Sequence, residues 1–259
     1  MTRTGGPARD LAGRPPHASG VAGDLWRRAG GLWHHAFATQ PVPPLWLIVG
    51  SGVLALAVVA SARVWPVART VVTMVHEGGH AIVALATGQR RVRVRLYRDT
   101  AGETVSAGAA GGLGVALTAA AGYPAPSLIG LGAAALLAVG HVTGMLLLGL
   151  VLLAGLAIAV RNPYGMLAVL ATTTAVAAVC LYASAVIQAG FGYAMTWFLL
   201  FGSVRPVMEL HHQRRRGRTQ RSDADQLARL TPMPGGGWVM IFGLVAVAAL
   251  AISAGWLVR

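Results

Sequence analysis

Seven apolar stretches divide the chain, at residues 45–62, 67–87, 124–139, 142–160, 166–188, 193–210 and 238–257. Most approach the roughly 20 residues that a helix needs to cross the ~30 Å apolar core of a bilayer. A further stretch, residues 113–122, is apolar but short, and Gly122, Pro124 and Pro126 break the chain beside it. A broken segment at membrane depth is tolerated where protein or a water-filled cavity covers its freed backbone groups. That segment is therefore expected to wall a cleft. The pattern predicts an all-α polytopic membrane protein of about six to seven transmembrane helices.

One stretch carries a different period. Arg91, Arg93 and Arg95 alternate with Val92, Val94 and Leu96, which is the pattern of a half-buried strand. Residues 99–102 supply a turn, and residues 103–106 can return as a second strand. A small cytoplasmic β-hairpin is expected directly after the second apolar stretch. Residues 1–23 are rich in Gly, Pro, Ala and Arg and are expected to be disordered. Within residues 24–40, Leu25, Trp26, Leu32, Trp33 and Phe37 recur at roughly helical spacing beside Arg27 and Arg28. This predicts a short helix lying on the membrane surface, with His34 and His35 on its polar edge. The chain thus divides into a tail, 1–44, and a membrane-embedded domain, 45–259.

Composition agrees with that class. Apolar residues make up 55% and charged residues 11%, against about 25% charged in a soluble domain. The net charge of +13 rests on 21 basic residues, every one an arginine. In a soluble protein such a charge suggests nucleic acid. Here the arginines flank apolar spans, so anionic lipids are the expected partners and no nucleic acid is. Residues 89–98 carry five arginines, Arg161 follows the fourth span, and residues 211–229 carry six more. With seven spans these loops share one side with the N-terminus, expected to be cytoplasmic, and the C-terminus lies outside. Arg63, Arg69 and Arg259 fall on the other side and are few enough to snorkel. Cys180 is the only cysteine, which excludes an internal disulfide and a cysteine-based zinc site.

The candidate chemistry lies in the second stretch, at His76-Glu77-Gly78-Gly79-His80. On a helix, His76 and His80 share one face a turn apart and can reach one metal ion, for which zinc is the usual choice. Glu77 beside them can take a proton from a water held by that metal. Ionisable groups at membrane depth are costly, which itself argues for function. Gly78 and Gly79 each cost about 1 kcal/mol against alanine in a helix. Bare backbone there is expected to admit a neighbouring helix or a substrate.

A catalytic zinc takes a third protein ligand. The chain has eight carboxylates. Asp10 and Asp24 lie in the tail, Glu77 is the base, and Asp99 and Glu103 flank the hairpin turn. Glu209, Asp223 and Asp225 remain. Glu209 forms an ExxH pair with His212 but is also placed to neutralise Arg205. Ser222 reads as a helix N-cap, with Asp223 and Asp225 in the first turn, on different faces. His141 reads as a span-end residue or as a support for the metal site.

The motif within an apolar span resembles the site-2 proteases, intramembrane zinc metalloproteases, and in particular their compact bacterial peptidase-M50B-like branch. The matching pieces are His76-Glu77-Gly78-Gly79-His80-Ala81, residues 121–130 (Ala-Gly-Tyr-Pro-Ala-Pro-Ser-Leu-Ile-Gly), Arg161-Asn162, and residues 222–231 (Ser-Asp-Ala-Asp-Gln-Leu-Ala-Arg-Leu-Thr). The wider family carries an Asn-Pro-Asp-Gly motif that supplies an aspartate ligand. This chain has Asn162-Pro163-Tyr164-Gly165, the frame without the carboxylate, which reads better as helix capping and a tight turn. In the branch, the resemblance implies that Asp223 supplies the ligand, with Asp225 the near rival.

What the resemblance implies is a metalloprotease domain over 45–259, with Glu77 as catalytic base and zinc on His76, His80 and Asp223. It further implies regulated intramembrane proteolysis in a bacterial inner membrane. The substrate would be a single-span membrane protein, such as an anti-sigma factor, a signal-peptide remnant or another regulatory protein. The hairpin would hold an unwound substrate segment by strand pairing. The alternative is a non-proteolytic membrane scaffold or chaperone that keeps the fold. A metal or proton transporter would need polar residues through several spans, and the later spans offer few beyond Thr172 to Thr174, Gln188 and Glu209.

Overall fold

The computed structural model describes residues 23, 31, 38–99, 101–108, 112–217 and 222–258. The expected disorder of residues 1–23 and the surface helix within 24–40, with His34 and His35, lie almost wholly outside the described residues. From there the order is α1 (Leu45–Ala60), α2 (Trp65–Ala86), β1 (Arg90–Leu96), β2 (Gly102–Ala107), α3 (Gly112–Ala121) and α4 (Pro124–Ala138). Then follow α5 (Val142–Ala159), α6 (Pro163–Tyr182), α7 (Ala185–Arg215), α8 (Asp223–Leu230) and α9 (Gly235–Leu257).

The all-α polytopic class expected from the apolar stretches holds. The helices α5, α6, α7 and α9 are each long and apolar enough to cross a membrane. Two further pairs qualify together, α1 with α2, bent by 103°, and α3 with α4, bent by 62°, so the count rises to six if each pair is one span. Large apolar side chains face outward along these helices, among them Trp46, Val67, Val151 and Ile158. Lipid is the solvent that accepts such a surface. The protein is an integral membrane protein.

The boundary between α6 and α7 differs from the expected one. The sequence pattern breaks the chain after Gln188, before a glycine-containing stretch. The helix instead breaks at Ala183 and Ser184, whose backbones are extended, and α7 runs on for 31 residues to Arg215. Gly190 and Gly192 sit inside it, and at Gly192 a neighbour presses close. A Cβ at Gly192 would stand 3.0 Å from Met145. Glycine here serves packing between helices rather than a turn.

The hairpin forms as the alternation predicts. Val94 and Leu96 are buried while Arg93 and Arg95 are exposed, and β1 pairs antiparallel with β2 from Arg93↔Val105 to Leu96↔Gly102. The other edge of β1 meets the start of the α5–α6 connection. Arg161 N–H donates to the Val94 carbonyl at 2.9 Å. Asn162 occupies the N-cap position of α6, but its side chain makes no cap. It instead clasps β1: Leu96 N–H donates to Oδ1 at 3.1 Å, and Nδ2 donates to the Leu96 carbonyl at 2.6 Å. The expected capping role is thereby corrected. The two backbone groups of Leu96 outcompete the helix terminus because they lie within reach, one residue pair beyond the Arg161–Val94 bond on the same edge.

Three apolar clusters hold the parts together. The largest joins α1, α2, α4, α5, α6, α7 and α9 around Tyr193, Trp197, Leu200 and Leu137. A second packs Val94 and Leu96 of the hairpin on Met74 and Ala81 of α2 and Val169 of α6. The third seats Ala224 and Leu227 of α8 among Ala119, Leu210, Val239 and Phe242. An eight-residue helix is too short to be stable alone. Burial of these two side chains and its N-terminal cap fix its place.

Candidate functional site

His76 and His80 project from one face of α2 with their Nε2 atoms 3.1 Å apart. His80 Nδ1–H donates to the Thr118 carbonyl of α3 at 2.7 Å. That bond puts the proton on Nδ1 and leaves a lone pair on Nε2, aimed at the shared space. The break between α3 and α4 brings this carbonyl in. Gly122, at the break, lies so close that any Cβ there would run into both imidazole rings. A side chain at Gly79 would strike Ala125 and the Ala121 carbonyl. Close approach by a neighbouring element therefore explains Gly79, whereas Gly78 faces open space.

The third donor comes from far along the chain. Asp223, the first residue of α8, places Oδ2 3.2 Å from His76 Nε2 and 3.3 Å from His80 Nε2. Asp225 turns the other way. Ser222 N–H donates to Asp225 Oδ2 at 3.0 Å and Asp225 N–H to Ser222 Oγ at 3.4 Å, the two bonds of a capping box; the Ser222 hydroxyl also donates to Oδ2 at 2.6 Å, and Arg214 holds Oδ1. Burial raises the Asp225 carboxyl, but Ser222 and Arg214 outweigh it. Two residues apart on a helix is about 200° of rotation. Once Ala224 and Leu227 are buried, only one of the two carboxylates can face α2.

Three electron-pair donors this close repel one another unless a cation or a shared proton lies among them. A tetrahedral zinc with bonds of about 2.0–2.1 Å sets neighbouring ligand atoms about 3.3 Å apart. The three separations here are 3.1, 3.2 and 3.3 Å, one triangular face of such a tetrahedron. Two imidazoles and a carboxylate suit zinc and leave a fourth position open. The group His76, His80 and Asp223 is the one cluster among the described residues that could hold a metal ion.

Glu77 is buried on the neighbouring face of α2, against β2. Thr104 Oγ1–H donates to Glu77 Oε2 at 2.6 Å. Gly102 leaves the room the carboxylate needs, since a side chain there would overlap it. Tyr123 lies edge-on to His76 at 4.8 Å between ring centroids and stacks on Phe242 at 5.1 Å. These groups open on a cavity of about 400 Å³ walled by α2, the hairpin, α3, Tyr123 and the start of α8. The short apolar segment before the Gly-Pro break is thus a wall of the cleft, as expected.

The remaining candidates lie elsewhere. Glu209 does not pair with His212. It meets Arg205 at 3.0 Å and Arg69 at 3.1 Å and accepts from Trp65 Nε1, while His212 Nδ1–H donates to the Met208 carbonyl of its own helix. His141 is at the start of α5 and is not among the residues lining the cavity. Arg69, expected to snorkel, instead pairs with Glu209 at 3.1 Å and lines the cavity, because Glu209 brings a carboxylate within its reach. Thr104 and Thr118 escaped sequence reading, and Asn162 was read only as a helix cap. Each acts through a partner 27 or more residues away, the Glu77 carboxylate for Thr104, the His80 imidazole for Thr118 and the Leu96 backbone for Asn162, which no local pattern marks.

No curated protein and no solved structure matches the chain. A family profile described as Peptidase M50B-like matches residues 49–253. That match runs from α1 into α9 and takes in both histidines, Glu77 and Asp223, so the chain belongs to the Peptidase M50B-like family, whose members are membrane-embedded peptidases.

Proposed function

We propose that the protein is an intramembrane zinc metalloendopeptidase that cuts the membrane span of single-span proteins. The observation that carries the reading is the triangle of donor atoms from His76, His80 and Asp223, with Glu77 fixed one residue away. His76, His80 and Asp223 would hold zinc, which when bound supplies a Lewis acid that polarises the scissile carbonyl and acidifies water. Glu77 takes the proton of the attacking water on its carboxylate and returns it to the amide nitrogen as the C–N bond breaks. The Thr104 hydroxyl fixes the direction of that carboxylate.

A substrate helix must unwind before its peptide bond is reachable, and its freed backbone groups then need partners. The outer edge of β2 is unpaired among the described residues and borders the cavity. A substrate strand pairing there would lie across Glu77. By the positive-inside rule the hairpin and the α7–α8 region face the cytoplasm of a bacterial cell, with the active site in its inner membrane. Their arginines would meet anionic lipid. Regulatory proteins such as anti-sigma factors, already trimmed outside, fit the substrate class. Nothing favours the scaffold alternative, and Asp223 of α8 stands beside both histidines where the carboxylate missing from 162–165 would be needed.

The test uses the full chain in neutral detergent with a single-span substrate. Metal analysis is expected to return about one zinc per chain, and chelation to stop turnover. Glu77→Ala should retain zinc and lose cleavage. Undiminished cleavage by that variant removes Glu77 from the mechanism.

A further inference from the structure

One side chain on the cavity wall is not used by the proposed chemistry. Arg69 lies on the same stripe of α2 as His76, seven residues earlier, and lines the same cavity. It is the only arginine among the described residues that do so. Among the described residues its ion pair is with Glu209, NH1 to Oε2 at 3.1 Å, and Glu209 Oε2 has no aligned hydrogen-bond donor there. Glu209 is shared. Arg205 Nε donates to its Oε1 at 3.0 Å, another nitrogen of Arg205 reaches the Val59 carbonyl, and the guanidinium stacks on Trp65 at 4.8 Å. Arg205 is thus held by the Glu209 carboxylate, a backbone carbonyl and an aromatic face, and it does not line the cavity. The group of two guanidinium ions and one carboxylate keeps a net positive charge, and the under-used donors belong to Arg69.

A guanidinium does not lose its proton, so this partly buried positive charge is best relieved by an anion. Its planar fork suits a carboxylate. Position follows from helix geometry. Seven residues of α2 span about 10 Å, which is about three residues of an extended peptide. Everywhere else the acidic side chains on the wall, Glu77, Glu103 and Asp223, repel an anion. We propose that Arg69 is a specificity-determining residue that takes an aspartate or glutamate side chain of the substrate about three residues from the scissile bond. The inference rests on the peptidase reading and narrows its substrate class to spans with an acidic residue near one end.

The probe is a set of Leu/Ala-rich single-span peptides carrying one Asp, or Asn, at each successive position. Affinity is measured in neutral micelles on the full chain carrying Glu77→Ala, and cut positions are mapped by mass on the zinc-loaded unaltered chain. Asp should bind more tightly than Asn by on the order of tenfold at one or two adjacent positions, with the cut about three residues away. Arg69→Gln should level the pair, and Arg69→Lys should retain part of the preference. A flat scan on the chain with Arg69 intact overturns the inference without any arginine variant, as does a preference that survives Arg69→Gln. If a small fraction of anionic phospholipid erases the preference, the occupant is a lipid phosphate and the substrate subsite falls. An Asp preference without zinc-dependent cleavage removes the peptidase reading instead, and cleavage with a flat scan removes only this inference.

Discussion

Seven residues apart on one face of α2, Arg69 and His76 each meet a carboxylate from late in the chain. Arg69 meets Glu209 of α7 with Arg205 beside it, and His76 meets Asp223 of α8 with His80 beside it. Both are groups of two nitrogen side chains around one carboxylate, and their separations are alike at 3.0–3.3 Å. Their chemistry is opposite. Guanidinium groups only donate, so the first group is a cation that seeks an anion. An imidazole whose Nδ1 proton is committed offers a lone pair, so the second group is a set of donors that seeks a cation. Distance alone does not distinguish a structural ion pair from a metal site; the proton inventory of the side chains does.

The comparison is broken most severely by Asp223→Ala. Supporting residues around a metal are each worth about 10–100-fold in affinity, so loss of a direct donor should exceed about 100-fold. Competition with a chromophoric chelator measures it, and unchanged affinity would remove Asp223 from the metal site. Next, Glu209→Gln leaves two guanidinium ions without their anion. Their side chains are about one-third exposed, so a loss of about 1–3 kcal/mol is expected. It should be visible as a lower unfolding midpoint in micelles with zinc content unchanged. A midpoint that does not move would show that the arginines are neutralised by something else.

Two finer changes sharpen the picture. Thr104→Val removes the donor to Glu77 and should slow cleavage by about tenfold while sparing zinc content. Cleavage at the full rate would show that Glu77 needs no such orientation. Asp225→Ala removes the capping box and the partner of Arg214, costing about 1 kcal/mol of local stability. Zinc affinity should drop by less than about tenfold, below the range for a direct supporting contact. A drop equal to that of Asp223→Ala would mean that α8 presents its other face to α2.

Much of the architecture was legible because its causes are local. A run of apolar residues needs only its own length to qualify as a span, and the Arg/Val alternation of β1 needs only its own period. His76, Glu77 and His80 are set within a single helix, where four residues always make about one turn. The break at Ala183 was not legible, since nothing there resembles a helix breaker while Gly190 and Gly192 nearby do. Whether a glycine ends a helix or admits a neighbour depends on the neighbour.

The sequence by itself determined a polytopic helical membrane protein with two imidazoles and a carboxylate on one helix, because helix period and hydrophobic length act within a segment. Only the tertiary structure decided between Asp223 and Asp225, paired Arg69 with Glu209, moved Asn162 from cap to strand clasp, and set Thr104 on Glu77. Each of those outcomes depends on which face of a distant element is buried. That choice is made by packing between segments and is not written in either segment alone.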